Sequence, residues 1–279
     1  MSHESKRYLL LLPGLVLLLA SLVTGCAINP GYIYQDGARE VGGDGEPIEL
    51  INNPDATNPP YAKLVAFITG DATDTNTYSP TSYVCSDFAE EVHNNAEAAG
   101  IRAAWVSVDF TDNEDGHALN AFETTDKGLV YIDCTGASLQ EKLNLMPVPE
   151  SAPGPGESTM SERDSLPGYD AVAYIEVGKE YGLIDITRAR LLSYSFYEEH
   201  KLEWQEYKDL INDYNEQVTQ YNQEIEGKVY YEGSPELARI EAREARLKRQ
   251  EQMIDELHNE LGDFWFDPLG IVADISIHW

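Results

Sequence analysis

Apolar residues recur at every fourth position between residues 83 and 99, a spacing that places side chains on one face of a helix. The residues that form this stripe are Val84, Phe88, Val92 and Ala96. Gly100 follows where a helix C-terminal cap is expected. The pattern predicts a helix with Cys85 in its first turn, one position round from the apolar stripe.

Three strand-like runs follow this helix, over residues 103–110, 117–123 and 129–135. The second and third runs are separated by the sequence TTDKG, in which Gly128 can adopt the positive φ of a hairpin turn. The order helix, strand, strand, strand therefore predicts a helix next to an antiparallel sheet.

Other segments extend this picture on both sides. Residues 61–68 are compatible with either a helix or a strand, and residues 169–186 predict two more strands. The alternating residues 269–279 predict a final strand that returns to the sheet. A Pro-, Gly- and Ser-rich stretch over 147–168 predicts a mobile loop.

Two long segments near the C-terminus carry heptad seams. Over residues 194–226 the seam consists of Trp204, Tyr207, Ile211, Tyr214, Val218, Tyr221 and Ile225. Over residues 236–262 it consists of Ile240, Leu247, Ile254 and Leu261. The break between them is short and contains Ser234 as a candidate N-cap before Pro235, so we expect an antiparallel helical hairpin. At 1.5 Å per residue the first arm is about 50 Å long.

The N-terminus has the pattern of a lipoprotein signal peptide. Lys6 and Arg7 precede an apolar run that ends in the sequence VTGC, with Cys26 as its last residue. A small residue before a cysteine at this place predicts cleavage and lipidation of Cys26. A simple membrane anchor with an incidental cysteine is the alternative. In both cases we expect the folded part on the cell surface or the periplasmic side of the membrane.

These observations predict an α+β fold with an inserted helical hairpin, or coiled coil. The predicted order is a lipoprotein signal peptide over 1–25, a flexible tether over 26–60 and a core over 61–192. The helical hairpin follows over 193–264 and the returning strand over 265–279.

The charge of the chain excludes one class of partner. The 279 residues include 49 acidic and 19 basic ones, which gives a formal net charge of -30. Nucleic-acid binding requires clustered basic residues, so we expect no nucleic-acid partner. The acidic loops over 70–76 and 109–115 lack the ligand spacing of an EF-hand, and we expect no metal and no cofactor.

The chain contains three cysteines, namely Cys26, Cys85 and Cys134. If Cys26 is lipidated, the other two could form a disulfide, or one of them could be a reactive thiol. A lone cysteine on a helix is usually a small buried hydrophobic residue, which is a further alternative for Cys85.

The position of Cys85 favours reactivity. A thiol at a helix N-terminus is stabilised as a thiolate by the helix dipole, and the unpaired N–H groups there can bind an oxyanion. A nucleophilic cysteine also needs a base, and the base needs an orienting group. His117 begins one strand of the predicted hairpin and Asp133 ends the other, so strand pairing can bring them together. Because successive strand residues face opposite sides, Cys134 then faces away from the site, which argues against a disulfide with Cys85.

The stretches YVCSDFAEEVHNNAEAAGIRAAWVSVDF and GHALNAFETTDKGLVYIDCT, within about residues 78–136, resemble the core of the transglutaminase-like superfamily, which has a papain-like fold. In that family a cysteine begins a helix that ends in a Gly-Ile turn, a His-Ala pair follows on a strand, and an aspartate ends a V-x-x-D-P-T-like strand. The resemblance implies Cys85 as nucleophile, His117 as general base and Asp133 as orienting group. It also implies that the backbone N–H of Cys85 forms part of an oxyanion hole, which Tyr78 or Tyr83 could complete.

The sequence departs from the family pattern at three places. Leu119 replaces the usual aromatic residue after His-Ala, Cys134 replaces the usual proline, and Arg102 stands one step before the usual basic position. These departures leave two functions open. The first is a surface-anchored thiol enzyme that cleaves or transfers amide or peptide bonds of a protein or envelope peptide through a thioester intermediate. The second is an inactive scaffold that binds a partner protein, or itself, through the helical hairpin.

Overall fold

The computed structural model describes residues 31–35, 37–111, 115–135, 170–262 and 265–279. The predicted signal peptide, Cys26 and the loop predicted over 147–168 lie outside the described residues. The described elements combine helices with antiparallel strands, which confirms the α+β class.

Ten strands are described. Four short ones come first, namely β1 (Gly31–Tyr32), β2 (Tyr34–Gln35), β3 (Ala38–Arg39) and β4 (Glu49–Leu50). Six others form one sheet, namely β5 (Ala104–Phe110), β6 (His117–Thr124), β7 (Gly128–Asp133), β8 (Ala171–Tyr174), β9 (Gly182–Asp185) and β10 (Val272–His278). Their order in this sheet is β10-β5-β6-β7-β8-β9, and all neighbours are antiparallel.

The strand predictions are confirmed in kind and in approximate position. Gly128 has a φ of 76° in the turn between β6 and β7, as the hairpin requires. The hydroxyl of Thr124 donates to the Gly128 carbonyl at 2.8 Å and so closes this turn. The last strand pairs with β5, with Ser276 opposite Ser107, and therefore does return to the sheet.

Four α-helices are described: α1 (Tyr61–Ile68), α2 (Cys85–Ala98), α3 (Tyr194–Ile225) and α4 (Pro235–Leu261). A short 3-10 helix covers Thr73–Thr75. The segment 61–68, for which the sequence left two structures open, is helical. In α4 the side chain of Ser234 accepts a hydrogen bond from the N–H of Leu237, which confirms the predicted N-cap. None of these helices combines the length and the apolar character that a membrane span requires.

Helices α3 and α4 form an antiparallel hairpin. Tyr207 forms a hydrogen bond with His258 near the base of the hairpin, and Gln217 forms one with Gln250 farther out. Near the tip, Glu224 forms a salt bridge with Arg243. The predicted seam is buried in α4 at Ile240, Leu247, Ile254 and Leu261. In α3 burial is confined to the half nearest the sheet, where Trp204, Tyr207 and Ile211 lie. The outer part of the α3 seam is only half-buried.

Helix α2 packs on one face of the sheet, against strands β5 and β6. Phe88, Val92 and Ala96 of the predicted stripe are buried beneath it. Two hydrogen bonds fix its position. The indole N–H of Trp105 donates to the Ser86 carbonyl at 3.3 Å, and the side-chain amide of Asn120 donates to the Ala89 carbonyl at 2.8 Å. The sheet therefore determines where the N-terminus of α2 lies.

The prediction of a flexible tether over 26–60 is wrong for its described part. Ile33, Ile48 and Leu50 are 4 % exposed or less, and they form a cluster with Trp105 and Ala118 of the sheet. Polar side chains of α2 also form hydrogen bonds with the backbone of this segment. The Asn94 side chain, for example, accepts the N–H of Ile51 and donates to the Glu49 carbonyl. Burial of three apolar side chains outweighs the flexibility that its Gly, Pro and Asn content suggests.

One contact of this segment gives a pH-dependent prediction. The Glu90 carboxylate on α2 accepts the Glu49 N–H at 3.1 Å, and burial, with nearby acidic groups, raises its pKa to about 7. A carboxyl with a raised pKa stabilises the fold while it is protonated. Its contribution is complete below about pH 4.5 and is lost as the pH rises through about 7.

We therefore expect Glu90→Gln to stabilise the protein in alkaline solution but not in acid. The amide keeps an acceptor for Glu49, and it removes the charge whose burial is unfavourable above pH 7. Thermal melting should show a rise in Tm of roughly 2–4 °C at alkaline pH and little change in acid. Glu241→Gln, at an exposed position of α4, is the control and should not change Tm at either pH. Equal shifts at both pH values would contradict the packing described here.

Candidate active site

The N-terminus of α2 places Cys85 at its first helical position. Val84 precedes it as an extended N-cap residue, with φ -111° and ψ -176°. The Asp87 carboxylate accepts the N–H of Val84 and the N–H of Gly43, each at 2.8 Å. Asp87 thereby joins the start of the helix to the loop after β3. Its negative charge in the first turn also matches the helix dipole.

His117 begins β6 and Asp133 ends β7, and the hairpin brings their side chains together. Nε2 of His117 lies 2.7 Å from Oδ2 of Asp133, and both side chains are buried. The other ring nitrogen of His117 is left for the thiol of Cys85, with which the ring forms a hydrogen bond. The structure thus assembles all three residues that the sequence singled out.

The electrostatic environment favours a thiolate at Cys85. Burial by itself would raise the pKa of this thiol. The hydrogen bond and the charge of His117 outweigh burial, and the backbone N–H of Ala118 adds to them, so the pKa falls below its ordinary value. At His117 burial acts in the opposite direction, but the Asp133 charge and hydrogen bond raise the pKa to about 10. Both shifts favour a thiolate–imidazolium pair at neutral pH.

Several hydrogen-bond donors stabilise the negative charge of Asp133. Burial would raise the pKa of this carboxyl, but His117 and Thr135 lower it below its ordinary value. The N–H of Thr135 donates to Oδ1 at 3.0 Å. The hydroxyl of Tyr181 donates to Oδ2 at 2.8 Å, and the Tyr181 ring meets the His117 ring edge to face at 5.4 Å.

Sequence reasoning missed Tyr181. It lies immediately before β9 and is 48 positions from Asp133 in the chain. The sequence around Tyr181 indicates only that a strand begins there. A tyrosine at such a position can belong to the core as well as to a functional site. Only the sheet order, with β7 next to β8 and β8 next to β9, brings it to the site.

A cleft of about 690 Å³ opens over Cys85 and His117. The backbone N–H of Cys85, at the first helical position of α2, precedes the first carbonyl acceptor of the helix and can serve as an oxyanion donor. Of the two tyrosine candidates, Tyr78 lines the cleft. The Tyr83 hydroxyl instead donates to Glu91 on α2 and receives the amide of Asn76. The geometry therefore favours Tyr78.

Cys134 faces the opposite side of the sheet from Asp133, towards a core cluster that includes Val92 and Ala96 of α2. It is 4 % exposed, belongs to the core cluster beneath α1 and α3, and its thiol is hydrogen-bonded to Asp170. Cys85 and Cys134 are both free, so the alternative disulfide is not formed. Burial raises the pKa of the Cys134 thiol well above its ordinary value, which makes it a poor nucleophile. Among the residues in the described ranges, no cluster of His, Cys, Asp and Glu could hold a metal ion.

Two Tyr→Phe variants test whether the hydrogen bond from Tyr181 to Asp133 stabilises the fold. Tyr181→Phe removes a donor from a buried carboxylate, and we expect it to lower the free energy of unfolding by about 1–3 kcal/mol. Tyr197→Phe removes a buried hydroxyl that has no hydrogen-bonding partner among the described residues, so it should be neutral or stabilising. Urea denaturation of the two variants measures the difference. Equal effects of the two substitutions would contradict the Tyr181–Asp133 bond.

The chain was also compared with known proteins. A scan of protein-family models returns no match to it, and neither do searches among curated proteins and solved structures.

Proposed function

We propose that this chain is a transglutaminase-like thiol enzyme that cleaves or transfers amide or peptide bonds through a thioester on Cys85. The observation that carries the proposal is the contact series from the Cys85 thiol through His117 to Asp133 at the N-terminus of α2. A helix-end thiol, a base and a buried orienting carboxylate are the groups that nucleophilic catalysis by cysteine requires. The sequence resemblance supplies the family, and α2 packed on an antiparallel sheet is compatible with it.

The reaction follows from the positions of these groups. The Cys85 thiolate attacks the carbonyl carbon of an amide, and the backbone N–H of Cys85 stabilises the oxyanion that forms. The His117 imidazolium gives its proton to the leaving amine, which leaves a thioester on Cys85. Water or a second amine then attacks the thioester while His117 takes a proton from it, and the thiolate is restored. Asp133 keeps the His117 ring in one orientation throughout.

The departures from the family pattern do not lie in the cleft. Leu119 is 1 % exposed and packs in the apolar cluster on the far side of the sheet from α2, and Cys134 is in the core beneath α1. Arg102 lies over the ring of Trp279 at 4.9 Å. These three positions therefore concern packing, and the substrates that we propose are unchanged: a protein or an envelope peptide.

The proposed setting is the outer or periplasmic face of the membrane. Lipidation of Cys26 would hold the enzyme there, and residues 31–60, which pack on the core, would keep it close to the lipid surface. This part of the proposal depends on the sequence of residues 1–26 alone.

A binding function of the helical hairpin is the second candidate. Its tip exposes two large apolar side chains, with Val229 at 80 % and Tyr231 at 77 %. Such exposure is typical of a contact surface. In this alternative the site is inactive, and the hairpin contacts a partner protein or a second copy of the chain.

An acyl-transfer experiment separates the two functions. The full chain is treated with p-nitrophenyl acetate, and intact-mass and peptide-mass spectrometry locate the acetyl group. We expect a thioester on Cys85 that is released by water and faster by added butylamine. His117→Ala should slow its formation about 10²–10⁴-fold. Cys134→Ser is the matched control and should form the adduct normally. No adduct on Cys85, or equal rates in His117→Ala, would refute the enzyme and leave the binding function.

A further inference from the structure

The cleft over Cys85 has an acidic wall. Glu40 follows β3 and lines the cleft. Its backbone is fixed on both sides, because its N–H donates to the Ile33 carbonyl at 2.9 Å and its carbonyl accepts the Ile48 N–H at 3.1 Å. The side chain is half-buried, and in the described part of the chain no group donates a hydrogen bond to its carboxylate. Burial and the charge of Asp109 both raise its pKa.

Asp109 supplies the second carboxylate of this wall. It lies near the end of β5, lines the same cleft and is exposed to it. In the pairing of β5 with β10 it stands opposite Asp274, which is a third acidic residue. Like charges at opposite positions of two strands are unfavourable. No Lys or Arg is present among the described residues that line the cleft, so neither carboxylate is paired with a Lys or Arg side chain there.

Ser107 adds an unpaired polar side chain to the same wall of the cleft. It lies two residues before Asp109, on the same face of β5, and lines the cleft. Its side chain is 7 % exposed, yet no group in the described ranges forms a hydrogen bond with its hydroxyl. The hydroxyl is therefore open to the cleft and has no partner in the described protein, which leaves it available to a donor or acceptor of a ligand.

We propose that the cleft selects substrates that carry a positive charge, and that Glu40, Asp109 and Ser107 receive a Lys or Arg side chain beside the amide that Cys85 attacks. This inference rests on the proposed function. An ammonium or guanidinium group supplies N–H donors to two carboxylates and to a hydroxyl that lack them. The cation also removes the repulsion between the two acidic side chains. A general acidic surface explains less, because it gives no reason for a half-buried carboxylate next to a nucleophile.

Three thiol-reactive methanethiosulfonates of different charge test this proposal. Methyl, 2-aminoethyl and 2-sulfonatoethyl methanethiosulfonate are neutral, cationic and anionic at neutral pH. With each of them the Cys85 thiolate attacks the sulfenyl sulfur, forms a mixed disulfide and releases methanesulfinate. Rates at Cys85 are measured on the full chain by peptide-mass spectrometry at physiological ionic strength, where distant charges are screened.

The ratio of the cationic rate to the neutral rate is the quantity that decides. We expect it to be high in the wild type and to fall about tenfold in Glu40→Gln/Asp109→Asn. Asp109→Asn alone is the second variant, and its ratio should fall by less than that of the double variant. Glu241→Gln on the helical hairpin removes one distant charge and should leave the ratio unchanged. A ratio that is the same in the wild type and in both cleft variants would overturn the proposal.

The two proposals fail in different ways in this experiment. The neutral reagent reports on the thiolate, so slow reaction of Cys85 with it at neutral pH would refute the activated site. The ratio reports on charge selection, because a change in the reactivity of the Cys85 thiolate alters the rates of both reagents alike and cancels. Faster reaction of the anionic reagent than of the cationic one would also contradict the acidic wall.

Discussion

A carboxylate that is 1 % exposed, as Asp133 is, remains charged only where other groups replace the water it has lost. His117, Thr135 and Tyr181 do this, and each comes from a different place in the chain: the start of β6, the residues after β7 and the position just before β9. The His117 imidazolium is in turn stabilised by this charge. Loss of one member of such a buried pair leaves the other uncompensated, which typically costs 3–5 kcal/mol. The geometry of the sheet and the charge state of the thiol are therefore linked.

The position of α2 is the second requirement, because the thiol must meet His117 at the end of the sheet. The sheet fixes α2 from one side through Trp105 and Asn120. Residues 31–60 fix it from the other side, through Asp87 at its first turn and Asn94 farther along. Gly42 and Gly43 allow this close contact. A Cβ added at Gly42 would lie 2.0 Å from the Asp87 carboxylate, and one added at Gly43 would lie 2.7 Å from the Tyr83 backbone nitrogen. The segment that binds α2 also carries Glu40 into the cleft, so it contributes to both the support and the charge of the site.

The sequence predicts the parts of this fold that depend on local periodicity. The stripe from Phe88 to Ala96, the turn at Gly128 and the seven-residue repeat from Ile240 to Leu261 each lie within one element or one hairpin. Apart from the return of the last strand to the sheet, it does not predict the contacts between distant segments. Ile33, Ile48 and Leu50 lie in a Gly-, Pro-, Asn- and Asp-rich segment with little periodicity. Their burial depends on α2 and the sheet, which come much later in the chain. Tyr181 was missed for the same reason. The three central residues could be found because the resemblance, rather than periodicity, relates Cys85 to the hairpin.

The central claim is that His117 and Asp133 hold Cys85 as a thiolate, and the pH dependence of its alkylation by iodoacetamide tests this most directly. Peptide-mass spectrometry of the wild type and of His117→Ala gives the rate at Cys85 from acid to alkaline pH. The account predicts a wild-type rate that has already reached its plateau at neutral pH. In His117→Ala the midpoint should move to the ordinary value for a thiol, about 8.5, or above it. Two identical profiles with midpoints at that ordinary value would contradict the account.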